Sequence, residues 1–198
     1  MKYIIVILFE ILALLSCTNK TEKSKTEISS TETSKNFSDT TNEQINKEIE
    51  KEAFFFEKKL DKEYLTSEQV KFTIDTFKIN LKNHKRQDFD YSTEGMNNSV
   101  IEMRDEYEKL LNKYYTKLLQ KLDSSDRVKL INSQKNWLKY RKSEEEFIQI
   151  MLYTKYNSGG TIQSNFAIGN YFNLVESRTI QIFSHYNSII EKEELEKE

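Results

Sequence analysis

An all-α fold, a small antiparallel bundle of about four to five helices behind a signal peptide and a disordered tether, is what this sequence predicts. Three observations carry it. Proline is absent and glycine occurs four times in 198 residues, so the turn chemistry that sheets require is scarce. Charged residues make up 31% of the chain, which suits long solvated helix faces. Apolar residues beyond position 42 recur at spacings of three and four, the helical period.

The elements follow in order. Residues 1–16 hold a lysine and then "YIIVILFEILALLS", apolar apart from Glu10, the pattern of a secretory signal. This apolar run is shorter than the roughly 20 residues that span a bilayer. Leu14-Leu15-Ser16-Cys17 resembles the bacterial lipobox, whose cysteine receives the lipid after cleavage. Cys17 is therefore the expected lipidation site and membrane attachment. An uncleaved anchor and an ordinary cleaved signal with an idle thiol are the alternatives. Cys17 is also the single cysteine, so no intramolecular disulfide forms and no thiolate serves zinc or catalysis elsewhere.

Residues 17–41 are rich in Ser, Thr, Lys and Glu and bury too little to offset ordering entropy, so they read as a tether. From Asn42, Ile45, Ile49, Ala53, Phe56 and Leu60 form one helical stripe. "SEQVKFTIDTFKINLKNHKR" mixes strand-like alternation with the heptad Val70, Ile74, Phe77, Leu81; the lack of a hairpin signal favours helix. Together 42–95 make an N-terminal helical extension. A loop follows, with Ser92 or Thr93 placed to start the next helix. Val100, Met103, Tyr107, Leu110 or Leu111, Tyr114 and Leu118 then mark a long helix from Met96 to Leu122. "DSSD" breaks it with a capping serine, and another helix runs from about Asp126 to Tyr153. "YNSGGT" is the strongest loop signal, before a last helix carrying Tyr171 to Ile189. Residues 191–198 form a charged tail that frays.

Chemistry-bearing motifs are few. His84 and His185 lie far apart without ligand spacing, so no metal site is expected. No nucleophile elbow or phosphate loop occurs, so no catalytic residue and no cofactor is assigned. The net charge of -2 gives no basic field for nucleic acid. Two polar stripes stand out instead. Glu108, Asn112 and Tyr115 share one helical face, and Gln134, Trp137 and Arg141 share another. If the two helices face each other, Glu108 meets Arg141, and Asn112 and Gln134 supply hydrogen-bonding partners. Solvated faces, a structural polar network and a functional site all fit this pattern.

"LLNKYY" (110–115), "SQKNWLKYR" (133–141), "SGGTIQ" (158–163) and Arg178 resemble the LprI-like lysozyme-inhibitor domain family. The resemblance covers roughly 96–186, and the expected domain is 96–190. The family's acidic residue, Asn and Tyr fall on Glu108, Asn112 and Tyr115. Its Gln, Trp and Arg fall on Gln134, Trp137 and Arg141, and its later arginine on Arg178. Lys142 stands where the family has Asp, and the cysteines that many members carry near Ser99, Glu145 and Asn170 are missing. The resemblance implies a helical, extracytoplasmic domain on an envelope lipoprotein at the periplasmic face or cell surface. It also implies a protein partner, lysozyme or another cell-wall hydrolase. On this reading the motif residues form a structural polar seam between two helices. The loop Tyr156, Asn157, Ser158, Gly159, Gly160 and Thr161, with the acidic run Glu144–Glu146, is the candidate contact surface. A structural or adaptor lipoprotein is the alternative function.

Overall fold

A computed structural model describes residues 39–196 apart from Tyr64. The expected signal segment 1–16, Cys17, most of the tether and the last two residues of the tail lie outside the described residues. Five helices and no strand are present among the described residues: α1 (Asp39–Lys59), α2 (Ser67–Phe89), α3 (Thr93–Lys121), α4 (Ser124–Met151) and α5 (Ile162–Leu195). The all-α expectation holds. No helix among the described residues is long and apolar enough to cross a membrane.

Local chemistry sets the helix ends. Thr66 caps α2 through a capping box, its hydroxyl accepting from Gln69 N–H while the Gln69 side chain accepts from Thr66 N–H. Ser92 caps α3 by accepting from Gly95 N–H, so that helix starts three residues before the expected Met96. α4 is capped by the Asp123 carboxylate, not by a serine of "DSSD". A carboxylate there also meets the positive end of the helix dipole. α5 runs unbroken to Leu195, so the charged tail is helical over most of its length. Its Glu193 pairs with Lys121 at the end of α3, which ties this part of the tail to the bundle.

Successive helices run antiparallel, and α3 and α5, two reversals apart, are therefore parallel. Asn97 meets Ser164, Tyr107 meets Phe172, Tyr114 meets Tyr186 and Lys121 meets Glu193, in ascending order along both. Their shared face is the core: Leu110, Leu111, Tyr114 and Leu118 pack with Ile182 and Tyr186, and Tyr107 with Phe172 and Val175. α2 lies against this pair through Phe72, which stacks on Phe183 at 3.9 Å and meets Tyr114 edge-on. α1 is bound to α2, with Phe56 stacked on Phe77 at 4.2 Å and Lys85 paired to Glu48 and Glu52. The α2 region that alternates like a strand is thus a helix whose apolar residues are shared between α1 on one side and α3 with α5 on the other. Two-sided packing explains the mixed period.

Helix α4 differs from the rest because none of its residues is buried. Leu130 and Trp137 pack against the margin of the core. Polar contacts do the remainder: Arg141 reaches Glu108 on α3, Gln134 and Ser133 reach Arg178 on α5, and Gln149 donates to Tyr171 on α5.

Candidate functional site

The two polar stripes face each other across α3 and α4. Glu108 and Asn112 lie one turn apart on α3, and Tyr115 follows three residues on; Gln134, Trp137 and Arg141 take the matching positions of α4. The antiparallel run of the helices brings Glu108 opposite Arg141. Arg141 Nη2 donates to Glu108 Oε1 at 2.6 Å, and its Nε donates to Glu145 Oε1 at 2.8 Å. Burial pulls the Arg141 guanidinium down, yet the two carboxylates outweigh this and hold it above its ordinary value.

Arg178 joins the same cluster from α5. It is 8% exposed, and its three nitrogens donate to Gln134 Oε1, Gln181 Oε1 and Ser133 Oγ, all neutral oxygens. Burial lowers its pKa, with Tyr115 acting in the opposite direction. The Trp137 ring lies near both guanidinium groups, 5.8 Å from Arg141 and 5.9 Å from Arg178. Two cation–π contacts and packing against the core margin hold the indole at the middle of α4.

The stripes do not close into a sealed seam. A cavity of about 420 Å3 separates them, lined by Glu108, Leu111, Asn112 and Tyr115 from α3 and by Ile131, Gln134, Lys135, Trp137, Leu138 and Arg141 from α4. Asn112 is exposed, and Tyr115, Gln134 and Trp137 are half-buried. The reason is α4 itself: Leu130 and Trp137 reach only the margin of the core and no residue of the helix is fully buried, so it leaves a groove beside α3 where a tighter pair would interdigitate.

The turn between α4 and α5 lies at the far end of that helix pair. Gly159 and Gly160 have φ of 76° and 101°, left-handed values that disfavour side-chain-bearing residues. The Asn157 side chain staples the turn, donating to Met151 O and accepting from Gly159 N–H. Around it the apolar side chains are exposed: Tyr153 is 64% exposed and Phe166 61%, beside Phe147, Met151, Tyr156 and Ile162. Within the acidic run, Glu145 is committed to Arg141 and Glu146 lies 3.9 Å from Lys142, so the run presents less free charge than its sequence implies.

Reading the sequence misses Glu145, Ser133 and Gln181 as members of the arginine cluster. Glu145 sits four residues after Arg141 and Gln181 three after Arg178, so helical spacing contains both signals. Ser133 carries none, because its contact depends on how α4 meets α5.

Residues 84–181 match the family model described as Lysozyme inhibitor LprI. The chain carries an LprI-like domain. That match begins in the last turns of α2, takes in α3 and α4 whole, and ends within α5 just past Arg178. Every motif residue of the two stripes, Arg178 and the glycine turn lie inside it. Comparison with the curated proteins and with the solved structures gives no match for the chain. The LprI-like segment shares its core with the preceding helices, since Phe72 and Ile79 of α2 pack into the α3–α5 face.

Proposed function

We propose that this protein is a lipid-anchored protein of the bacterial cell envelope that binds and inhibits a lysozyme or related peptidoglycan hydrolase. The observation that carries the reading is the LprI-like match over 84–181, a family described by lysozyme inhibition. The α4–α5 end supports it physically. Tyr153, Tyr156, Ile162 and Phe166 are exposed around a stapled turn, and aromatic side chains on a rigid projection suit insertion into a partner's cleft. Glu144 and Glu146 lie within about two turns of that projection and favour the basic surface common among lysozymes. Inhibition of this kind requires surface complementarity and no catalytic group. In this reading Cys17 holds the lipid, residues after it serve as a tether, and the cluster of Glu108, Arg141, Gln134 and Arg178 keeps α4 in place.

A cell-wall clearing assay tests this. The full chain, added in increasing molar ratio to a lysozyme, slows clearing in a saturable way, and Tyr156→Ala with Phe166→Ala weakens the effect about tenfold or more. Unchanged clearing at large molar excess removes that enzyme as the partner. The same outcome across a panel of peptidoglycan hydrolases favours the alternative, a structural or adaptor envelope lipoprotein.

A further inference from the structure

The groove between α3 and α4 has a chemistry of its own. Its volume of about 420 Å3 falls in the roughly 300–1,000 Å3 range of small-ligand sites. Its walls offer apolar surface from Leu111, Ile131 and Leu138 together with the rings of Trp137 and Tyr115. Among the described residues, the Asn112 amide, the Tyr115 hydroxyl, the Lys135 ammonium and the Trp137 indole N–H make no hydrogen bond. Glu108 spends only Oε1 on Arg141. Donors and acceptors that neighbour an apolar floor, unspent within the protein, are thus gathered in one open groove.

Charge narrows the ligand class. Arg141 is already held by two carboxylates and each nitrogen of Arg178 by a side-chain oxygen, so among the described residues Lys135 is the one cation lining the groove that has no ion-pair partner. Glu108 and Glu145 offset two of the three cations Lys135, Arg141 and Arg178, so a single positive charge, on the exposed Lys135, remains around the groove, too little to hold a multiply charged anion. A neutral ligand rich in hydroxyl or amide groups uses the free donors and acceptors. The C–H faces of pyranose rings are apolar and weakly positive, suited to the electron-rich faces of aromatic rings. We infer that the α3–α4 groove is a binding site for a short neutral oligosaccharide, seated against Trp137 and Tyr115 and hydrogen-bonded by Asn112.

Trp137 is the single tryptophan of the chain, so its fluorescence reports on this groove alone. The experiment titrates the full chain, in a detergent without a sugar headgroup, with chitotetraose, cellotetraose and inorganic phosphate. A saturable change in emission with at least one of the two oligosaccharides, and none with phosphate, is the expected result. Asn112→Ala and Tyr115→Phe each weaken binding by about five- to tenfold, the loss of roughly one hydrogen bond. Far-UV circular dichroism stays unchanged in Asn112→Ala, because that side chain is exposed. No saturable change with either oligosaccharide, saturation by phosphate alone, or undiminished affinity in both variants overturns the inference. The assay contains no hydrolase, so its outcome is independent of the clearing assay.

Discussion

Arg141 Nη2 donates to Glu108 Oε1 across 2.6 Å, so one guanidinium joins α4 to α3 while its Nε holds Glu145 on its own helix. The arginine side chain is 18% exposed and each carboxylate 36%, which places the pair between a surface bridge and a buried one. Exposed pairs contribute up to about 1 kcal/mol, and breaking a buried one costs roughly 3–5 kcal/mol. Arg141→Ala is therefore expected to lower stability by about 1–2 kcal/mol in urea denaturation. Arg141→Lys recovers only part of this, because an ammonium lacks the fork that serves two carboxylates in fixed directions. An unchanged urea midpoint in Arg141→Ala would contradict the bridging role.

Thr66 ties the start of α2 to α5. Its hydroxyl accepts from Gln69 N–H and donates to Asn187 Oδ1 at 2.7 Å, and both residues are buried. Thr66→Ala removes a cap and strands a buried amide oxygen, so a loss of about 2–3 kcal/mol is expected. Thr66→Ser retains both contacts and should stay within about 1 kcal/mol of the parent. Equal melting temperatures for the Ala and Ser variants would refute this account.

Stability also depends on pH through Glu68. Burial pushes its carboxyl up, but hydrogen bonds and charge from Lys117 and Lys71 prevail and hold it below its ordinary value of 4.5. A carboxylate with a depressed folded-state pKa contributes stability that is fully present above the unfolded value. That contribution is lost as pH falls through the folded value. Glu68→Gln is thus expected to be less stable than the parent at pH 7, with the difference shrinking as pH drops below 4.5. A difference that stays constant from neutral to acid pH would show that ionisation of Glu68 is irrelevant to folding.

Tyr114 gives a prediction of opposite sign. Its ring is fully buried and meets Phe72 and Phe183 edge-on, but its hydroxyl has no hydrogen-bond partner among the described residues. Burial pushes the phenol far above its ordinary range. Tyr114→Phe keeps the ring contacts and removes the stranded hydroxyl, so stability should rise by about 0.5–1 kcal/mol. A destabilised variant would mean that the hydroxyl has found a partner in solution.

How legible these features are in the sequence depends on where each helix packs. The α3 stripe through Tyr107, Tyr114 and Leu118 is buried as its spacing predicts, because α3 meets α5 along its length. The Gln134–Trp137–Arg141 face obeys the same spacing but ends half-buried. Spacing identifies the side of α4 that turns inward and carries no information on how closely the helix approaches. The pairing of Glu108 with Arg141 is readable from two stripes of similar pattern, whereas the cavity beside it is not, since it depends on how closely α4 approaches α3. Leu138, Phe147 and Ile150 look like core residues by type and are exposed. Composition alone cannot place them, because the surface they cover is set by the other helices. The glycine turn was readable outright, as adjacent glycines need no tertiary context to adopt positive φ.

With none of its 28 residues buried, α4 is secured mainly by side-chain polar contacts at its edges. Resistance to local opening follows buried apolar contact, so the bundle should behave as two cooperative units of unequal strength. Amide hydrogens of α4 are expected to exchange with solvent well before those of α3 and α5. Any ligand that grips Trp137, or any partner that clamps the turn after Met151, then acts on the least protected helix. Its arrival would register as slowed exchange along the whole of α4, a signature extending far beyond the atoms touched.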